Sequence, residues 1–253
     1  MLGCLLAALA LGLPARAQSA GASGPVSLDS TQIVAQLMTK NQERLALLEH
    51  WEGCRYYSLD YTGFPFDQSA EMVVAVKFDA PSRKQFRIVQ QHGSHLLLHR
   101  VLKELLVNER EAIGEQNQTA LTPDNYEFRL VGSDEVSGRT QYVLEVTPRS
   151  PNKFLYRGKI WVDATDFAVT RISAEPAKNP SVWISNTEIE HRYSKIDNFW
   201  LPASNTSVTK VRFGGTAKLS IDYLNYRIGI SKPTPATDVC SNAPGEAQVS
   251  GAQ

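Results

Sequence analysis

The residues that could do chemistry in this chain are few and scattered. His92, His95 and His99 come closest to a metal-ligand set, because a spacing of four puts His95 and His99 on one face of a helix, as zinc sites do. His92 precedes Gly93 and lies outside the regular helix, and no carboxylate stands between the three; solvated imidazoles on a polar helix face meet the same spacing. Asp163 and Asp166 flank a tight turn, and Glu188 and Glu190 share a strand face turned to water, which is a poor setting for the paired carboxylates of a hydrolase. The nucleophile-elbow, zinc-protease, phosphate-loop and C-x-x-C patterns are absent. Asn117-Gln118-Thr119 and Asn205-Thr206-Ser207 match glycosylation acceptors, and would carry no meaning if the host were bacterial. The expectation is a protein that is not an enzyme and holds no metal or cofactor.

Composition narrows the class. The 253 residues carry 26 Lys and Arg against 26 Asp and Glu, so the net charge is zero. That balance argues against a nucleic-acid binder working through phosphate neutralisation and against a polybasic membrane-surface protein. No stretch reaches the roughly 18 apolar residues of a membrane-spanning helix. Residues 5–13 are apolar, Pro14 breaks them, and Ala15-Arg16-Ala17 offers small residues for cleavage after Ala17, so residues 1–17 read as a signal peptide despite the missing basic start. Residues 18–27 read as a flexible leader. Export implies an oxidising compartment, where Cys54 and Cys240 either pair, tying the tail to the first strand, or remain a half-buried thiol and a free one.

The elements that must position any site follow from periodicity. Asp29 or Ser30 can cap a helix in which Ile33, Val34, Leu37, Met38, Leu45 and Leu48 recur to about residue 50, with Gly53 as its stop. The period then falls to two. Tyr56, Tyr57 and Tyr61 mark a strand; Met72, Val74, Val76 and Phe78 alternate with Glu71, Lys77 and Asp79; Phe86 and Ile88 follow the Ala80-Pro81-Ser82 turn. Residues 94–113 read as a second helix, with Leu98, Leu102, Leu105 and Leu106 as its apolar stripe and Glu104, Glu109 and Arg110 as its wet side. A polar loop spans 115–123, and strands are expected at 126–131, 141–147, 154–163, 167–175, 182–193, 205–213 and 216–228. Residues 231–253 turn Pro-, Ala-, Ser- and Gly-rich and read as a disordered tail, leaving 28–230 as the folded domain.

Short turns between successive strands imply a meander. The predicted class is α+β: a strongly curved antiparallel sheet of about 10–11 strands, an incomplete β-barrel, with two long helices covering the concave face. A curled sheet with one apolar face and few helices encloses a hollow suited to a greasy ligand. Trp161, Trp183 and Trp200 sit on or beside strands, either as ordinary sheet packing or as lining of that hollow; Tyr156, Ile160 and Val162 take the drier face opposite Trp161.

Several blocks, in order, carry a family resemblance. Val76-Lys77-Phe78-Asp79-Ala80-Pro81 followed by Phe86-Arg87-Ile88 resembles the early strand–proline–strand element of the LolA/LolB-like lipoprotein carriers. Tyr156-Arg157-Gly158-Lys159-Ile160-Trp161-Val162-Asp163 and Asp166-Phe167-Ala168-Val169-Thr170-Arg171-Ile172 resemble their central hairpin. Tyr193-Ser194-Lys195-Ile196-Asp197-Asn198-Phe199-Trp200-Leu201-Pro202 and Leu219-Ser220-Ile221-Asp222-Tyr223 resemble later strands. The chain thus resembles a divergent, acidobacteria-type outer-membrane lipoprotein-sorting protein over residues 28–230, with residues 94–123 as an extended insertion. The resemblance implies a monomeric periplasmic carrier without nucleic-acid contacts. It would take acyl chains of a lipid or lipoprotein between membrane-bound donor and acceptor proteins, with an early-strand Arg, Arg55 or Arg87, holding a helical lid. Alternation places Met72, Val74, Val76, Phe86 and Ile88, then Leu98, Leu102 and Leu105, then Ile160, Val162 and Ile172 around the acyl cavity. The alternative role on the same fold is an RseB-type envelope sensor or scaffold, whose relatives carry a second domain.

Overall fold

Local chemistry starts the first helix. Asp29 Oδ1 accepts from the Gln32 amide at 2.8 Å and Gln32 Oε1 accepts from the Asp29 amide at 3.0 Å, a reciprocal cap that satisfies two amides with no helical partner. Helix α1 then runs Ser30–Leu47 and buries Ile33, Val34 and Leu37. It ends before the predicted residue 50, and Gly53 is not its stop. Strand β1 already begins at His50 (His50–Gly63) because Trp51 is buried between Phe78 and Tyr226, at ring distances of 5.9 and 5.4 Å. Gly53 lies inside β1, where the Tyr226 ring occupies the space of a side chain.

The computed structural model describes residues 28–114, 116–152, 154–178, 184–212, 214–229, 239–241 and 243–244. The expected signal peptide and leader, Trp183 and most of the expected tail lie outside these residues. After β1 come β2 (Gln68–Asp79) and β3 (Arg83–Gly93). Gly93 turns the chain off the sheet edge with φ +94°, and a side chain there would strike the Ser69 carbonyl oxygen. Ser94 Oγ accepts from the Leu97 amide and caps the second helix, which is not one regular rod: α2 (His95–Leu97) passes through a π-helical turn (Leu98–Leu102) into α3 (Lys103–Gly114). A short α4 (Gln116–Thr119) stands where a loop is expected. The remaining strands are β4 (Tyr126–Val136), β5 (Arg139–Pro148), β6 (Tyr156–Asp163), β7 (Val169–Pro176), β8 (Ile184–Ile196), β9 (Phe199–Val211) and β10 (Gly215–Ile228).

The ten strands form one curved, open antiparallel sheet in the order β3-β2-β1-β10-β9-β8-β7-β6-β5-β4. This corrects the simple meander. Sequence neighbours pair everywhere except β3 and β4, which become the two end strands because the second helix intervenes between them, while β1 pairs with β10 along Trp51–Gly63 and Gly215–Ile228. No described helix is long and apolar enough to cross a membrane.

Residues directly opposite in an antiparallel pair share a face. One row can therefore be followed across the sheet: Met72, Tyr57, Ile221, Asn205, His191, Ile172, Ile160, Leu144 and Leu130. Both helices pack on the face this row defines, the inner face. The second helix puts Leu97, Leu98, Leu102 and Leu106 against β1 and β2 residues. Helix α1 puts Ile33, Val34 and Leu37 against Tyr126, Leu144, Ile160 and Val162 at the other end.

Candidate functional site: the inner face and its helical cover

The predicted ligand residues fall into two separate groups. Met72, Val74, Val76, Leu98 and Leu102 are buried together in the first cluster, with Phe86 and Leu105 partly buried against it. Ile160, Val162 and Ile172 belong to the second cluster under α1. Ile88 is exposed at 37 % on the end strand β3. None of them lines the crevices found at the margins of α1. One crevice of about 310 Å³ runs between Val34, Ala35 and Met38 of α1 and Tyr126 and Phe128 of β4. Another of about 260 Å³ lies between Arg44, Leu45 and Leu48 and the Phe199-Trp200-Leu201 segment of β9.

Between the two clusters the inner face changes character. Strand alternation turns Thr187, Ile189, His191 and Tyr193 of β8 and Asn205, Ser207 and Thr209 of β9 to this side. Thr187 and Thr209 share a hydrogen bond of 3.0 Å across the strands. Among the described residues Asn205 Oδ1 is buried and accepts no hydrogen bond, and burial alone pulls the His191 imidazole down to about 4, so it is neutral at physiological pH. The result is a narrow polar seam between the two apolar clusters.

Charged clamps fasten the cover. Arg55 of β1 faces inward and is almost fully buried; its Nη1 donates to Glu109 Oε2 at 2.6 Å and its Nη2 to Glu109 Oε1 at 3.0 Å, a forked pair between sheet and α3. Lys84 Nζ of β3 donates to Glu109 Oε1 at 2.6 Å, and Arg55 also stacks on the Tyr223 and Phe86 rings. Burial opposes ionisation of Glu109, but the hydrogen bond from Arg55 and the charges of Arg55 and Lys84 outweigh it and hold the carboxyl at about 2. Burial lowers Lys84 in spite of its partner, with Arg55 adding repulsion. Of the two lid-holding arginines the resemblance suggests, Arg55 meets a helix; Arg87 lies on the opposite face of β3, one residue from inward Phe86. Glu109 corrects the expected wet side of the second helix. It lies on the stripe of Leu102 and Leu106, and strand cations 54 and 25 residues away in sequence make a carboxylate acceptable there.

Helix α1 has its own clamp. Arg44 donates to the carbonyls of Asp166 and Phe167 at 2.8 and 2.9 Å. The turn it grips is braced by Asp163, which takes both Arg139 Nε and Nη2 at 2.6 and 2.8 Å, and by Asp166, which takes Lys195 and Trp200 Nε1 at 2.8 and 3.1 Å. Both carboxylates are saturated with donors and serve the turn. Glu190 is likewise paired, with Arg171 and Arg192, rather than simply turned to water.

Other expected features find structural places. Trp161 sits on the outer face opposite Ile160 and Val162, bonding Asp134 and lying under the Arg171 guanidinium at 4.5 Å. The His95 and His99 rings stack at 4.0 Å on the exposed helix surface while His92 remains on β3; the described residues hold no group of three metal-ligating side chains. Cys54 and Cys240 form a disulfide, with Val239, Cys240 and Ala243 buried on the outer face against Val73 and Leu224. At those positions the chain is packed, where a disordered tail is expected, because the disulfide and this apolar patch hold it down.

Comparisons with known proteins add the following. The model of a family of unknown function, DUF5686, matches residues 116–226, from α4 into β10. No curated protein matches the chain. Among solved structures, the chain is similar to a DUF1329 family protein from Desulfovibrio piger, at 16 % identity over 82 % of this chain and 96 % of that one, with a TM-score of 0.43. It is similar to a LolA superfamily protein from Nitrosomonas europaea, at 14 % identity over 83 % and 96 % of the two chains, with a TM-score of 0.35. A third is an outer membrane lipoprotein-sorting protein domain from Vibrio parahaemolyticus, at 10 % identity over 78 % and 93 %, with a TM-score of 0.37.

Proposed function

We propose that the protein is a periplasmic carrier that takes acyl chains of a lipid or lipoprotein onto the inner face of its sheet, beneath a helical cover that moves aside, and passes them from a membrane-bound donor to an acceptor. The observation that carries this reading is the inner face itself. It is apolar toward both ends of a row running across the sheet, where the helices pack, and most inward side chains of β8 and β9 between them are half-buried. Each acyl methylene moved from water onto such a surface contributes about 0.8 kcal/mol. Met72, Val74 and Leu102 have no exposed surface, so entry to that end requires the second helix to leave its seat. A forked ion pair suits a cover that must reseat in one register, because it is directional where apolar contact is not. The Cys54–Cys240 disulfide agrees with an exported protein.

The test is uptake of a fluorescent long-chain fatty-acyl probe, with native mass spectrometry of protein taken from its own periplasm. Saturable uptake that is lost when Ser207→Phe fills the half-buried middle of the inner face supports the carrier. Absence of uptake and of co-purifying lipid overturns it. The sensor or scaffold reading has its own observation: the end strand β4 exposes Val131 and Val136, a strand edge onto which a partner peptide can add. Capture of an envelope regulator by the lipid-free protein would favour that role.

A further inference from the structure

We propose that His191 and Asn205 form a polar anchor for the amide-bearing junction of an acylated molecule lying on the inner face. The inference rests on the carrier reading and names the chemistry of its ligand.

Met72, Tyr57, Ile221, Asn205, His191, Ile172, Ile160 and Leu144 form one row across the inner face. Its left-hand members belong to one apolar cluster and its right-hand members to the other. The amide and the imidazole, side by side as a cross-strand pair, fall in the gap between. A carrier built only to hold hydrocarbon would place Val or Leu there. Among the described residues Asn205 Oδ1 is buried and accepts no hydrogen bond. A buried acceptor left empty is unfavourable, and a ligand N–H relieves it. His191 is neutral, held so by burial, and a neutral imidazole offers one N–H and one acceptor. The other inward positions of β8, β9 and β10 beside the pair are Thr187, Ile189, Tyr193, Ser207, Thr209, Ala217, Leu219 and Tyr223, none of them charged. The seam is thus unsuited to a phosphate or carboxylate and suited to an uncharged group with both a donor and an acceptor. An N-acyl amide has both, its N–H toward Asn205 Oδ1 and its carbonyl toward the His191 N–H, with apolar bed on either side for hydrocarbon. An ester of the same chain lacks the donor.

The test is equilibrium binding of two probes to the intact protein: one fluorophore joined to a hexadecanoyl chain through an amide, and the same fluorophore joined through an ester. The expected result is a preference for the amide of about tenfold, the scale of one buried hydrogen bond. Asn205→Leu should abolish the preference while leaving ester affinity within about twofold, since it keeps the face well filled, whereas His191→Phe, which removes the donor that both carbonyls use, should weaken the two probes alike and leave the preference in place. Equal affinity of the two probes for the unaltered protein, a preference that survives Asn205→Leu, or affinities unchanged by His191→Phe overturns the anchor and leaves the carrier standing. Failure of both probes to bind overturns the carrier reading and the anchor with it.

Discussion

Removing the Glu109 carboxylate while keeping its partners is the sharpest test of how the cover is held. Arg55 and Glu109 have side-chain exposures of 6 % and 29 %, and Lys84 one of 19 %, so the three charges have little water to turn to. Glu109→Leu leaves two buried cations facing each other without a counter-ion. Breaking a buried pair from one side costs about 3–5 kcal/mol, a large share of the roughly 5–15 kcal/mol that holds a domain together. Replacing all three, as Arg55→Met, Lys84→Met and Glu109→Leu, removes the desolvation cost along with the attraction, and should leave stability within about 1 kcal/mol of the starting protein or above it. The assay is urea unfolding followed by far-ultraviolet dichroism and tryptophan fluorescence, combined with stopped-flow release of an acyl probe. The single substitution should lower the midpoint strongly. The triple variant should restore it yet release the probe faster, because apolar contacts hold the helix without fixing its position. A Glu109→Leu loss below about 1 kcal/mol, the range of a solvent-screened surface pair, would refute the clamp. So would a triple variant as unstable as the single one.

The acid limb of stability should carry the same signature. The folded-state value of Glu109 is depressed from 4.5 to about 2, so its contribution is complete above 4.5 and disappears as pH falls toward 2; urea midpoints of the triple variant should lack that part of the slope. Reduction of Cys54–Cys240, or Cys54→Ser, should release Val239 and Ala243 from the outer face and cost about 2–4 kcal/mol, read as faster limited proteolysis near residue 240 and a lower unfolding midpoint. Gly93→Ala forces a side chain into the Ser69 carbonyl at a positive φ and should cost about 1–3 kcal/mol in thermal unfolding, whereas Gly138→Ala, which meets nothing nearby, should cost less. Val74→Glu places a charge at a position with no exposed surface and should unfold the protein rather than selectively block uptake, which circular dichroism distinguishes.

Much of the architecture was readable along the chain. The switch from a helical period to alternation after Leu48, and the turn signals that follow, locate both helices and all ten strands, mostly to within a few residues. Alternation also sorted Ile160 and Val162 from Trp161 correctly, since a period of two depends only on neighbouring residues. The candidate site was legible only in part. Leu98 and Leu102 were visible as a stripe, but Glu109 on the same stripe read as a wet residue, because nothing within a helical turn announces a buried arginine on a distant strand. Asn205 was visible as a glycosylation match and as the expected start of a strand, but its inward direction depends on register with β8 and β10.

The amino-acid order by itself determined the elements, their faces and the absence of a recognisable catalytic motif, because these follow from local sterics and from the spacing of apolar side chains. Only the tertiary structure decided that β1 pairs with β10 rather than ending the sheet, that the apolar residues divide into two clusters, and that a polar seam lies between them. The physical reason is that strand pairing, the meeting of Arg55 with Glu109 and the isolation of Asn205 are contacts between segments far apart in the chain. Which of them form is settled by burying the whole inner face at once, and no single window of sequence contains that information.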